Sequence, residues 1–131
     1  MSSRTEEPKS PHNLEDVNKE FLSHALAKEY GLSINPGEHD VKRFSYEAGK
    51  ESSLQERVVA FQTALKALEP GTYLYVEHPS LDTPEMEAVG HVGYYNVGKD
   101  RQMVTDLFTN REIQKTIKEL GIELISYADL K

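Results

Sequence analysis

Apolar residues recur at helical spacing in two segments of the first half of the chain. The first helix is expected to begin at Asn13, which can cap it, and to end at Gly31. Ser53 and Glu56 have the spacing of a capping box, so a second helix is expected to follow them and to end before Pro70-Gly71. The apolar positions of the two helices are Leu14, Val17, Phe21, Ala25 and Leu26 in the first and Val58, Phe61, Leu65 and Leu68 in the second.

The second half of the chain predicts further helical segments. A capping box at 109–112 opens a helix that Gly121 ends. A helix is also expected at 101–108, and one helical turn at 84–89. The apolar positions of the helix that Gly121 ends are Ile113, Ile117 and Leu120.

Strand patterns are fewer than helix patterns. Residues 72–76 form a β-branched and aromatic run, which is typical of a parallel strand buried on both faces. Residues 122–127 predict a last strand, and residues 32–34 a very short one. The polar stretches 35–52 and 77–100 are expected to be long loops.

The order of these elements predicts an α/β fold with parallel strands joined by crossover helices. Two strands and a doubtful third are too few for a parallel sheet that is covered on both faces. The sequence therefore reads as the end of a barrel or of a doubly wound sheet. Residues 1–12 are expected to be a disordered tail and residues 13–131 a partial domain. We expect a homo-oligomer, or a missing N-terminal half, to cover the strands.

Composition excludes several classes of function. The 131 residues include no cysteine, which rules out disulfides, zinc-thiolate sites and cysteine nucleophiles. The net charge is −7 with basic residues scattered among acids, so we expect no nucleic-acid partner. No apolar run is long enough to span a membrane, and the chain start resembles no secretory signal. The expected location is cytoplasmic.

His78 is the main candidate for chemistry. It follows the strand at 72–76, where α/β folds place their active sites, and Pro79 restricts its backbone to extended geometry. Glu77 could orient or charge the imidazole. A histidine that only hydrogen-bonds at a strand end is the structural alternative.

Other polar residues near His78 give weaker patterns. Tyr94 and Tyr95 could stack on a sugar ring, or simply pack within a surface loop. Arg101 could reach back toward the strand end, or form a surface ion pair. A metal site would have to gather Glu77, His78, Asp82, Glu85 and His91, whose spacing matches no ligand motif. His12, His24 and His39 have no partner pattern that suggests a site.

Four parts of the chain resemble one enzyme family when they are taken in order. They are Leu65–Gly71, Tyr75–Pro79, Arg101 with Asp106, and Thr109–Tyr127. Together they resemble the C-terminal end of YdjC/ChbG-type carbohydrate deacetylases, over about residues 24–131. The most specific parts are the Glu-His-Pro strand end and the closing Gly-Ile-Glu-Leu-Ile-Ser-Tyr.

The resemblance implies a deformed (β/α) barrel that removes N-acetyl groups from amino sugars such as chitooligosaccharides, with a divalent metal, Mg or Zn. It implies that His78 is a general acid or an electrostatic partner of the tetrahedral intermediate, supported by Arg101. Glu77, Tyr94 and Tyr95 would contact the substrate.

The chain departs from the family pattern at its N-terminal side. The family has an Asp-Asp pair at the end of its first strand and histidine ligands further on, and nothing before residue 24 matches them. Ser80 stands where the family usually has glycine after His-Pro. No metal is therefore expected in this chain alone. The alternatives are a remnant that binds a sugar or a partner chain without catalysis, and an unrelated small α/β binding module.

Overall fold

A computed structural model describes residues 14–32 and 39–130. The chain divides into two units, one made of residues 1–35 with 126–131 and one of residues 36–125. The first unit contains helix α1 (Leu14–Glu29) and a short 3-10 helix at Tyr127–Asp129. The second unit contains, in order, β1 (Val41–Arg43), α2 (Leu54–Lys66), β2 (Thr72–Leu74), α3 (Pro84–Glu87), α4 (Val97–Phe108) and α5 (Arg111–Glu119).

Helix α1 ends as the sequence predicts. Gly31 has a φ of 65°, a left-handed conformation that glycine adopts without a Cβ penalty. The amide of Leu32 then donates to the carbonyl of Ala27 at 2.7 Å, which pairs one of the last helical carbonyls. The predicted cap, Asn13, lies outside the described residues.

Helix α2 begins with the predicted capping box. The amide of Glu56 donates to Ser53 Oγ at 3.2 Å, and the amide of Ser53 donates to Glu56 Oε2 at 2.7 Å. Two amides that the first helical turn leaves unpaired are thus bound by side chains only three residues apart.

The cap of α5 is one residue later than predicted. Thr109 is not its N-cap, because Thr109 ends α4 and donates its hydroxyl to the carbonyl of Thr105 at 2.9 Å. Asn110 caps α5 instead, and its Oδ1 accepts from the amide of Glu112 at 2.9 Å. The predicted end at Gly121 is confirmed by its φ of 65°.

Strands β1 and β2 pair in parallel, with Val41 opposite Thr72 and Arg43 opposite Leu74. Helix α2 is the connection between them, so the predicted α/β class with parallel strands is confirmed. Strand β2 lies within the predicted 72–76. Strand β1 lies in the segment that was predicted to be loop, and it is recognisable only through its partner.

The predicted last strand at 122–127 is wrong. Residues 122–126 have no regular structure, and the chain then enters the 3-10 helix. Leu124 is 79% exposed and Ile125 47% exposed, and no strand in the described residues pairs with this segment. High strand propensity does not make a strand without a neighbour to bond to. Of the predicted strand at 32–34, Leu32 is not in a strand, and the other two residues lie outside the described ranges.

The shorter helices are close to expectation. The predicted turn at 84–89 is α3, which Thr83 caps by accepting the amide of Met86 at 3.3 Å. Helix α4 was expected at 101–108 and begins four residues earlier, at Val97. None of the helices in residues 14–32 and 39–130 combines the length and apolarity needed to cross a bilayer.

The core of the second unit lies between α2, α4, α5 and the strand pair. Val58, Leu107 and Ile113 are at most 1% exposed. One polar link crosses this core, because Gln62 Nε2 on α2 donates to Thr116 Oγ1 on α5 at 2.8 Å. The buried cluster consists of Phe44, Val58, Phe61, Leu65, Leu107 and Ile113.

Candidate functional site

His78 lies four residues beyond the last residue of β2, on the side where the parallel strands end. Its side chain is exposed, and it makes no hydrogen bond or ion pair with the part of the chain that the structure describes. A histidine that serves only to satisfy the backbone at a strand end would be bonded. The side chain is therefore available to solvent or to a ligand.

The segment that follows His78 is fixed against α4. The amide of Ser80 donates to the carbonyl of Arg101 at 3.2 Å, and Thr105 Oγ1 donates to the carbonyl of Ser80 at 2.8 Å. The amide of Asp82 donates to Gln102 Oε1 at 2.9 Å. We call residues 78–82 the docked arm. These three bonds hold the backbone beyond His78 along one face of α4.

Arg101 contributes its backbone to this arrangement more than its guanidinium. The side chain is half-buried, and Nη1 donates weakly to Met86 Sδ at 3.7 Å. No hydrogen bond joins the side chains of His78 and Arg101 within the described residues. His78 and Arg101 are thus linked only indirectly, because Ser80, two residues after His78, bonds to the backbone of Arg101.

Glu77 is exposed, and its partner is Tyr75, the residue that follows β2. Tyr75 Oη donates to Glu77 Oε1 at 3.1 Å. Burial raises the pKa of the Tyr75 phenol, and the negative charge of Glu77 raises it further. Glu77 therefore contacts a tyrosine, and the predicted contact with His78 is not among its hydrogen bonds.

The raised pKa of Tyr75 has a consequence at alkaline pH. The folded state favours the neutral phenol. The contribution of Tyr75 to the free energy of unfolding is therefore complete below the pKa of the unfolded chain, about 10, and is lost as the pH rises above that value. In an ultraviolet titration of the seven tyrosines, the Tyr75→Phe variant should lose the component that ionises last. It should also resist alkaline unfolding to a higher pH than the wild type.

Tyr95→Phe is the matched control, because Tyr95 is 69% exposed. It should leave the alkaline unfolding midpoint unchanged. Equal behaviour of the two variants would show that Tyr75 ionises like a solvated phenol.

Tyr94 and Tyr95 lie on a tight turn between α3 and α4. The amide of Tyr94 donates to the carbonyl of His91 at 2.8 Å, and Gly93 has a φ of 92° that suits glycine. The Tyr94 ring packs edge-on to the His91 ring, with centroids 6.1 Å apart. Tyr94 is half-buried and Tyr95 exposed, so only Tyr95 offers a free ring.

Two carboxylates flank the start of α4. A side-chain carbon added at Gly98 would stand 2.5 Å from both Asp82 Oδ1 and Glu87 Oε1. Glu87 Oε1 is buried and has no hydrogen-bond partner in the described part of the chain. Acidic groups are favoured beside a helix N-terminus, where backbone N–H groups are unpaired.

The residues that the structure describes do not fit the divalent metal that the family resemblance implies. Within residues 14–32 and 39–130, no three His, Asp or Glu side chains form a group that could hold a metal ion. The candidate ligands between Glu77 and His91 are thus not gathered into one site. A water activated by a metal needs several such ligands on the protein.

An aromatic cluster at the strand ends was missed from the sequence. Phe44 and Tyr46 follow β1, Tyr75 follows β2, and Phe61 and Phe108 come from α2 and α4. Ring centroids of neighbouring members lie 5.0–6.4 Å apart, mostly edge to face. Its members come from four separate segments, so no local spacing indicates the cluster.

Comparison with known proteins finds no match, either among protein-family models or among curated proteins. What the chain does must therefore be argued from its own residues.

Proposed function

We propose that this chain is the C-terminal portion of a YdjC/ChbG-type carbohydrate deacetylase and that its second unit belongs to a deformed (β/α) barrel. The observation that carries the proposal is the exposed His78 beyond the carboxyl end of the parallel strand β2. Active sites of parallel α/β folds are built from the segments that follow the strands.

The chemistry assigned to His78 is proton transfer to an amide under attack. Attack of water on an amino-sugar acetamide beside the imidazole would form a tetrahedral intermediate. This intermediate would collapse to acetate and the free amine when the protonated imidazole gives its proton to the leaving nitrogen. Arg101 would add positive charge near the developing oxyanion. The docked arm supports this role, since its three hydrogen bonds attach the backbone of Ser80 and Asp82 to α4 just beyond His78.

The attacking water requires metal ligands that the described residues do not supply. The side chains in residues 14–32 and 39–130 form no metal-ligand group, so the chain by itself should bind the sugar without hydrolysing it. The same observation favours the second candidate, a sugar- or partner-binding remnant without catalysis. An N-terminal barrel half or a second copy of the chain would be the partner in either case.

Titration with a chitooligosaccharide, followed by amide NMR, tests the proposal. Shifts are expected at His78, at the docked arm and at Arg101, with no release of acetate above the blank. His78→Gln keeps the size of the side chain but removes its proton chemistry, and His91→Gln is a matched exposed control. Chitooligosaccharide that shifts no resonance in the second unit, at millimolar concentration, would refute the proposal.

A further inference from the structure

Part of the aromatic cluster is open to solvent at the strand ends. Phe108 is 38% exposed, and Tyr46 and Tyr75 are half-buried. We call these three rings the aromatic shelf. They rest on Phe44 and Phe61, which are 7% and 3% exposed. The shelf therefore has a buried aromatic support beneath its solvent-facing rings.

Contacts between the rings hold the shelf rigid. The ring centroids of Tyr75 and Phe108 are 5.6 Å apart, and those of Tyr46 and Phe61 are 5.0 Å apart. Phe61 also contacts Phe108 at 6.3 Å. Each exposed ring thus has at least one ring beneath or beside it, and little side-chain freedom would be lost when a ligand binds.

Two charged groups, Glu77 and Arg57, interact with Tyr75 of the shelf. Tyr75 Oη donates to Glu77 Oε1 at 3.1 Å, and the Glu77 carboxylate is exposed. The Arg57 guanidinium acts electrostatically on the Tyr75 phenol, and it is held by the carbonyls of Lys50 and Ser52 at 3.2 Å and 3.4 Å. An apolar surface is therefore combined with a carboxylate, phenols and a fixed cation.

This composition is that of a sugar subsite. A pyranose ring has a face of C–H groups that packs on aromatic rings, whose faces are electron-rich, and a rim of hydroxyls that need hydrogen-bond partners. Small-molecule sites are lined in the same way, mostly by aromatic and apolar side chains with a few placed polar groups.

We propose that the aromatic shelf of Tyr46, Tyr75 and Phe108 is a pyranose-binding subsite, with Glu77 and Arg57 bonding the sugar hydroxyls. The inference rests on the proposed carbohydrate function. It places the sugar on the aromatic shelf and not on the loop of Tyr94 and Tyr95. Tyr94 and Tyr95 were the expected stacking residues. The shelf instead lies at the strand ends, where Tyr75 stands three residues before His78.

The test uses the intrinsic tyrosine fluorescence of the whole chain, which has no tryptophan, together with amide NMR. Chitooligosaccharide and cellooligosaccharide, which lacks the acetamide, are titrated separately. Phe108→Leu keeps an apolar side chain and removes the ring, and Tyr46→Leu is a second variant of the same kind. Each should weaken binding roughly three- to tenfold, the effect of losing one aromatic contact. Tyr30→Leu, the matched control, should leave affinity unchanged, because Tyr30 is 73% exposed and belongs to the first unit.

The outcomes separate this inference from the proposed function. Chitooligosaccharide shifts that spare Tyr46, Tyr75 and Phe108 but include His78 and Tyr95 would overturn the subsite and leave the proposed function standing. Binding of cellooligosaccharide alone at the shelf would support the subsite and overturn the deacetylase proposal. Binding of neither sugar would overturn the subsite, and so would equal affinity in Phe108→Leu and Tyr30→Leu.

Discussion

Replacing Leu107 with alanine is expected to lower the free energy of unfolding by about 2–5 kcal/mol. Leu107 is 1% exposed and belongs to the buried cluster between α2, α4 and α5. Truncation removes buried apolar atoms and leaves a cavity that close-packed neighbours fill only in part. Because small domains are stable by only about 5–15 kcal/mol, the loss should be visible as a large fall in the urea midpoint.

Leu124→Ala is the matched control for this experiment. It removes the same atoms from a side chain that is 79% exposed, so the free energy of unfolding should change by less than about 0.5 kcal/mol. If both variants unfold at the same urea concentration, the core does not lie where the structure has it.

In a complete deacetylase of the proposed type, alanine at the position of His78 is expected to cut turnover by about 10²–10⁴-fold. The loss follows from removing the acid that protonates the leaving nitrogen. Stability should change little, because His78 is exposed and makes no hydrogen bond within the described residues. Steady-state kinetics and thermal melting on the same preparations measure the two effects.

The position of His91 provides the control for that enzyme. His91 is also exposed, and its Nδ1 lies 2.9 Å from the carbonyl of the adjacent Val92. Alanine there should leave turnover within about twofold of the parent, as expected of a surface substitution away from the chemistry. A His78 variant that melts far earlier but keeps its turnover once folded would make that residue structural.

Helix ends were predictable here because the groups that make them are close in sequence. The capping box of Ser53 and Glu56 and the glycine stop at Gly121 each involve a few consecutive residues. The exception at Thr109 is a shift of one residue, since Thr109 and Asn110 are both good caps and only the end of α4 decides between them.

Strands were less predictable because a strand depends on a partner elsewhere in the chain. Lys42 and Arg43 are exposed and carry charge, so β1 has no apolar alternation to indicate it. In segment 122–126 the reverse holds. Its composition favours a strand, but no strand among the described residues lies beside it to form hydrogen bonds.

The candidate site also has one part that the sequence predicts and one part that it does not. The place of His78 follows from the adjacent strand and from Pro79, so the sequence predicts it. The aromatic shelf joins Tyr46, Tyr75 and Phe108 from three segments, and only the packed core brings them together.

The parallel pairing of β1 with β2 also sets the order in which the second unit can fold. The two strands have three residues each, and all of α2 lies between them, so pairing closes a long loop for few hydrogen bonds. Helix α2 has its own capping box and can form locally within about a microsecond. The helix should therefore precede the sheet, and the carboxyl ends of the strands, where His78 and the shelf lie, should be among the last parts to assemble.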